Sequence, residues 1–295
     1  APGYGDKYMK KTLRLGELFA PEELERRLKG IVEWKNLTIT GVYGAEPVTV
    51  EEMMDYIHTY GGRLKAHVTD VGLYLDGALK EGKDVMFEAQ LGALRDIDFG
   101  IYPYTSSSST IAAYAPVGAG VPNHKLDCVI GIMKAYSTCV GEGPFVCEAF
   151  GEEAERLRKA GGEYGAATGR PRRVGPFDAV ASRYGIRMQG ATDIALTKLD
   201  VLSGLEKIPV CTAYELDGKK IEEFPYPSLL DRCKPVVEYF PGWQCDISGC
   251  RRLEDLPKEA LDYVRTLEKL TDCRIKYISV GAEREEYIVT EGERV

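Results

Sequence analysis

The chain is predicted to be an α/β protein with a mostly parallel central sheet, flanking helices and a small antiparallel hairpin excursion. Three observations predict this. Helical and strand-like apolar patterns alternate along the chain. Two β-rich stretches flank Asp217-Gly218 within residues 209–221, which is a hairpin signature. The 295 residues, 44% of them hydrophobic, suffice for a large buried core.

Residues 21–34 place Leu24, Leu28, Ile31 and Val32 on one helical face, and Thr49 with Glu52 forms a capping box ahead of Met53, Met54 and Ile57. Apolar residues at Leu64, Val68, Val71, Leu75 and Leu79 predict a third helix ending at Gly82, followed by a buried strand in residues 84–88. Farther on, Asn123 caps a helix reaching Tyr136 and Pro176 opens another. Residues 194–197 form a strand, and 256–270 form a helix leading into a strand at 274–280. The only low-complexity run is Ser106 to Ser109. No internal boundary is marked, so residues 1–295 are taken as one domain.

A formal charge of -8, from 38 basic and 46 acidic residues, argues against a general nucleic-acid or anionic-membrane surface, so any anion site must be local. Apolar runs are short and broken by charge, and no secretory leader is visible, which makes the cytoplasm the expected location. Eight cysteines contain no Cys-x-x-Cys pair and stand away from the three histidines. Reduced thiols are therefore expected rather than a zinc site. The chain opens at Ala1 without an initiator Met, and a fragment is expected.

Two neighbouring segments carry the clearest chemistry. In Ile194-Ala195-Leu196-Thr197-Lys198-Leu199-Asp200 a strand delivers a Lys-x-Asp to its carboxyl end, where open α/β sheets bind ligands. The Asp200 carboxylate suits the ring N–H and exocyclic amine of guanine, and the Lys198 stem can lie over the base. A solvated strand end with a surface ion pair is the alternative. The glycine-rich loop of residues 161–173 turns basic at Arg170, Arg172 and Arg173. Backbone amides and guanidinium forks there can converge on a carboxylate or phosphate, or form a solvated basic loop. Residues 102–110 are rich in hydroxyls that can hold a phosphate, or can make a plain turn. Glu88, Asp96 and Asp98 are candidate acid/base or metal-contacting carboxylates, or loop-orienting ones; His58 and His67 receive no role. The phosphate loop Gly-x-x-x-x-Gly-Lys-Ser/Thr appears nowhere in the sequence.

Taken in order, Phe-Glu-Ala-Gln-Leu-Gly-Ala-Leu-Arg-Asp-Ile-Asp-Phe-Gly-Ile-Tyr-Pro-Tyr-Thr-Ser-Ser-Ser, Lys134-Ala-Tyr-Ser-Thr, Gly-Pro-Phe, Gly-Ala-Ala-Thr-Gly-Arg-Pro-Arg-Arg, Leu-Thr-Lys-Leu-Asp-Val-Leu and Pro241-Gly-Trp resemble the adenylosuccinate synthetases. The likeness covers essentially the whole chain. It implies a P-loop-like synthetase fold and a ligase that uses GTP to join L-aspartate to IMP in purine biosynthesis, with Mg²⁺ and a homodimer. GTP contacts carried over are Arg172, Lys198, Leu199, Asp200, Ser279, Val280, Gly281 and Ala282. Aspartate contacts are Ala166, Ala167, Thr168, Gly169, Arg170, Pro171 and Arg172. IMP contacts are Lys10, Gln90, Leu91, Ser106 and Arg170. Leu91 stands where the family has Gln or Asn, Lys10 where the partner subunit sends an Arg, Ser106 where Thr is frequent, and Cys139 where Arg is usual. The family's N-terminal loop Gly-Asp-Glu-Gly-Lys-Gly, with its Asp base and Mg²⁺ ligand, and its acid His are not in this sequence. No catalytic residue and no metal ligand is therefore expected here, and turnover is expected to need that segment. The alternative is a non-catalytic guanine-nucleotide or purine-binding fragment.

Overall fold

The computed structural model describes residues 2–166, 169–290, 292 and 295. The chain divides into two compact units, Ala1–Phe87 with Pro116–Asn123, and Glu88–Ala115 with His124–Val295. The returning segment Pro116–Asn123 contains Pro116, Gly118, Gly120 and Pro122, a local punctuation that the one-domain expectation left unused.

The first unit is helical. Pro21 starts a helix at the position where a missing N–H costs nothing, and Glu22 and Glu23 complement its first turn. Leu24, Leu28 and Val32 are buried along one face, and the helix runs past Trp34 to Gly41. The Asn36 side chain ties down the return, donating to the Val48 carbonyl at 2.8 Å and accepting from its N–H at 3.0 Å. The capping box forms as expected: Glu52 N–H donates to Thr49 Oγ1 at 3.1 Å and Thr49 N–H to the Glu52 carboxylate at 2.7 Å. The expected helix over 64–79 is interrupted. Val68 is extended, and a new helix, Val71–Lys80, starts where Asp70 accepts from Leu73 N–H at 3.0 Å. Local capping chemistry overrides the apolar periodicity. Residues 84–88 form no strand, since no described strand pairs with them and Met86 is 89% exposed.

The second unit holds strands β1 (Ile130–Lys134), β2 (Ser137–Cys139), β3 (Arg173–Gly175), β4 (Phe177–Asp178), β5 (Asp193–Thr197), β6 (Lys207–Leu216), β7 (Lys219–Ile221), β8 (Cys233–Pro241), β9 (Arg274–Ser279) and β10 (Tyr287–Val289). In the main sheet, ordered β1-β5-β9-β10, the first three strands are parallel and β10 is antiparallel. The helix expected over 123–136 is replaced by β1. A short apolar run such as Val129-Ile-Gly-Ile-Met fits either element by periodicity, and pairing with β5 decides it. Helix Lys258–Thr271 covers the sheet, packing Tyr263, Val264 and Leu267 with Ile194, Leu196, Ile275 and Ile278, all at most 1% exposed. Each such side chain contributes about 1.5–3 kcal/mol of burial. Helix Ala179–Gln189 starts three residues after Pro176, because Asp178 accepts from Ala181 N–H at 3.0 Å.

The hairpin at Asp217-Gly218 forms, with positive φ of 52° and 77° as its tight turn requires. It is not an edge excursion. β6 is the centre of a second sheet, parallel to β4 and antiparallel to β7 and β8, and Val210, Cys211, Ala213 and Tyr214 are buried along it.

The Pro241-Gly242-Trp243 segment anchors the chain that follows β5. Trp243 is buried against Tyr263 and donates its indole N–H to Ser203 Oγ at 2.9 Å. Gly204 N–H donates to the Trp243 carbonyl at 2.9 Å and Gly242 N–H to the Glu206 carbonyl at 2.9 Å. A Cβ on Gly242 would overlap the Leu205 carbonyl. Gly242→Ala is therefore expected to lower unfolding free energy by about 3 kcal/mol, measured by urea denaturation; an unchanged midpoint would refute the close approach.

Candidate functional site

The carboxyl ends of β1, β5 and β9 lie side by side, and each delivers residues singled out from the sequence. After β5, Lys198 takes a left-handed backbone, φ 61°, and its ammonium donates to the Gly161 carbonyl at 2.6 Å. Leu199 is fully buried, and its N–H reaches the Ser279 carbonyl at 3.4 Å, so it anchors the turn rather than offering its side chain to a ligand. Asp200 opens the following 3-10 turn. Burial raises the Asp200 carboxyl above its ordinary range and the nearby Glu286 adds to this, against the opposing charge of Lys198.

After β9, Ser279 Oγ donates to the Gly281 carbonyl at 2.9 Å and Val280 N–H to the Glu286 carbonyl at 2.9 Å. Glu286 also accepts from Glu283 N–H at 2.9 Å, and a Cβ on Gly281 would overlap its carboxylate. Val280 is buried and Ala282 exposed. The Leu199–Ser279 contact and the effect of Glu286 on Asp200 bring the segment after β9 near Asp200.

The basic loop is organised by a residue that the sequence reading did not assign. Glu163, fully buried, accepts from Tyr136 Oη at 2.6 Å, from Lys134 Nζ at 2.8 Å and from Arg172 Nη1 at 2.9 Å. Burial raises its pKa, but the donations from Lys134, Tyr136 and Arg172 outweigh that and hold the carboxyl below its ordinary value. Burial pushes the Lys134 ammonium down, against its pairing with Glu163 and together with the charges of Arg172 and Lys198. Two cations, Lys134 and Arg172, share the one buried Glu163 carboxylate, so its charge is divided between them. Arg172 Nε is buried without a hydrogen-bond partner, a donor left for a ligand.

Between Glu163 and Arg172 the chain folds back on itself. Arg172 N–H donates to the Glu163 carbonyl at 2.9 Å, Gly165 N–H to Arg170 at 2.8 Å and Gly169 N–H to Gly165 at 2.7 Å, and Tyr164 bridges Pro171. Ala166, Gly169 and Arg170 are exposed on this turn; Ala167 and Thr168 lie outside the described residues. The three arginines do not converge. Arg173 begins β3 and its side chain turns instead to Glu148, at 2.9 Å through Nε, because successive residues of an extended chain face opposite ways. Gly161 joins the two segments: its carbonyl holds Lys198, and a Cβ there would overlap the Tyr136 hydroxyl.

The hydroxyl-rich segment belongs to the same unit. Asp96, fully buried, accepts from the N–H groups of Thr110 at 2.6 Å, Asp98 at 2.9 Å and Phe99 at 3.0 Å. Burial raises its pKa and these donors more than offset that, so the carboxylate is a loop organiser and not a proton carrier. Ser106 Oγ and Ser108 Oγ lie 3.0 Å apart. Gln90 and Leu91 are exposed, Leu91 with φ 78°. Glu88, Asp98, His58 and His67 are exposed, and Lys10, exposed with φ 60°, lies in the first unit. A cavity of about 530 Å³ between helix Gly151–Gly161 and residues 201–209 shares Tyr136 and Val201 with this region, but none of Lys198, Asp200 or Arg172 lines it.

The adenylosuccinate synthetase family model matches residues 1–288. The adenylosuccinate synthetase of Pelobacter propionicus is 44% identical over 289 residues, 98% of this chain and 67% of that protein. That of Desulfitobacterium hafniense is 45% identical over 292 residues, covering 97% of this chain and 68% of the relative. Among solved structures, the fully ligated adenylosuccinate synthetase of Plasmodium falciparum superposes with a TM-score of 0.88 at 33% identity, over 98% of this chain and 68% of that one. The chain thus spans about two thirds of the length of these relatives. Its strand-end Lys198 and Asp200, its folded basic turn and a match along nearly the whole sequence agree, and the chain belongs to the adenylosuccinate synthetase family.

Proposed function

We propose that this chain takes part in the GTP-dependent ligation of L-aspartate to IMP, giving adenylosuccinate, GDP and phosphate. The observation that carries the reading is the convergence of Lys198, Asp200 and residues 279–282 beside the Glu163–Arg172 group at one end of a parallel sheet. In this reading the γ-phosphoryl of GTP passes to the 6-oxygen of IMP. The aspartate amine then forms a C–N bond at C6 of the purine, the C6–O bond breaks to release phosphate, and the nitrogen gives up a proton.

The roles are those that the family resemblance implies, and the described geometry supports some of them. Asp200 accepts the two guanine N–H groups, with the Lys198 stem over the ring and residues 279–282 closing on the base. Arg172, held by Glu163, offers its buried Nε–H to a phosphate oxygen, and residues 166–172 clamp the aspartate carboxylates. Ser106 takes the IMP phosphate, with Arg170 and the Gln90-Leu91 turn near the nucleotide. Lys10 serves the corresponding site of a second copy in a homodimer. These are binding and positioning roles; no acid or base role is assigned. Among the described residues no group of three or more His, Cys, Asp or Glu side chains is disposed to hold a metal ion. No described helix is long and apolar enough to cross a membrane, and a cytoplasmic location is part of the proposal.

Isothermal titration calorimetry tests the guanine reading. GTP is expected to bind more tightly than ATP, and Asp200→Asn to weaken GTP by about 10- to 100-fold while leaving ATP unchanged, the value of a charge-assisted pair. Equal affinity for the two nucleotides would end the reading. The ligand needs an ionised Asp200, whose carboxyl is raised by burial, so GTP affinity is expected to fall as pH drops from 7 toward that raised value. Asp200→Asn should flatten this profile.

Glu163→Gln leaves Lys134 and Arg172 without their counter-charge and is expected to cost about 3 kcal/mol of stability at pH 7, together with weaker L-aspartate binding. Because the folded-state value of Glu163 is lowered, its stabilisation is complete above the ordinary 4.5 and lost as pH falls through the lowered value. Chemical denaturation from pH 7 to 3 should show the two proteins converging; parallel curves would contradict the assignment.

A further inference from the structure

We propose that Arg95 is a positioning residue that fixes the hydroxyl-rich turn to the loop of residues 139–143, and so sets where a nucleoside monophosphate's phosphate is held. The inference rests on the reading of Ser106 as a phosphate contact. Arg95 grips the turn twice. Its carbonyl accepts from Ser106 N–H at 2.8 Å, and its guanidinium Nη1 donates to the Tyr104 carbonyl. The same fork reaches the opposite loop, donating from Nη2 to the Val140 carbonyl at 3.0 Å and to Cys139 Sγ at 2.9 Å, and from Nη1 toward the Glu142 carbonyl at 3.5 Å. A planar guanidinium serves several carbonyls at once, which an ammonium on a flexible stem does not do in one fixed geometry.

A second observation places the turn on the loop independently. Gly143 has φ 106°, and a Cβ there would lie 2.7 Å from Cγ of Tyr104, so the Tyr104 ring rests directly on the Gly143 backbone. From the far side Arg173 holds the same loop, donating to the Gly143 carbonyl at 2.7 Å and toward that of Gly141 at 3.3 Å. Cys139 pairs with Arg173 in the β2–β3 register, and Arg173 follows Arg172 in the chain. Arg95, the 139–143 loop and Arg173 therefore form a continuous link from the phosphate-holding turn to the aspartate clamp. Cys139 lies within reach of the Arg95 guanidinium, so an arginine at 139 can place its own guanidinium in the same space.

The test compares wild type, Arg95→Leu, Arg95→Lys and Arg95→Leu/Cys139→Arg. Amide hydrogen exchange over residues 102–108 is read without ligand, and IMP, inosine and GTP affinities by calorimetry. Arg95→Leu is expected to speed exchange in the turn and weaken IMP by about tenfold, with inosine and GTP unchanged. Cys139→Arg in that background is expected to restore both, and Arg95→Lys to fall between; if the leucine variant does not fold, the lysine variant decides. Wild-type exchange and IMP affinity in Arg95→Leu would overturn the proposal, as would equal losses for inosine and GTP. If wild type does not prefer IMP to inosine, the Ser106 reading fails, and the exchange data alone then decide whether Arg95 holds the turn.

Discussion

A single buried carboxylate carries most of the constraint in the candidate site. Glu163 has no solvent to share its charge with, and it gathers a lysine from β1, a tyrosine just beyond it and an arginine from the far limb of the basic turn. Without it those groups would repel or lose their hydrogen bonds; with it, Arg172 is held so that one N–H remains unused. Lys134, Arg172 and Lys198 are thereby gathered close together within a protein that is acidic as a whole.

The parallel sheet explains why these groups meet at all. Residues far apart in the chain are brought to one edge because parallel strands end together, and β1, β5 and β9 all run the same way. The second sheet and the Pro241-Gly242-Trp243 crossing then hold the segment after Asp200 from below. Leu199 and Trp243 are buried while Lys198 and Asp200 remain partly accessible, so the reading residues stand on a fixed base.

Much of this was legible in the sequence where one residue type has one physical use. The Thr49–Glu52 box, the Asp217-Gly218 turn and the Lys-x-Asp at a strand end all formed where expected. The errors came where two readings share one pattern. The apolar residues at 64–79 fit a continuous helix until Asp70 caps a new one, and the run at 129–133 fits helix or strand until β5 pairs with it. Glu163 escaped because a glutamate in a glycine-rich loop looks solvated; only its partners, some of them 27 and 29 positions away in sequence, show it to be an organiser. Arg95 and Arg173 were hidden in the same way, since nothing local to either shows which carbonyls they serve.

Gly161 has a further consequence for how such a site can change. Its carbonyl receives Lys198 while its missing side chain leaves room for the Tyr136 hydroxyl, which in turn serves Glu163. Positions 136, 161 and 198 therefore cannot drift independently. A substitution tolerated at one depends on what occupies the others, and the three are expected to be energetically non-additive. The route by which this site accommodates mutation is then ordered: space beneath the tyrosine must open before the glycine can acquire a side chain.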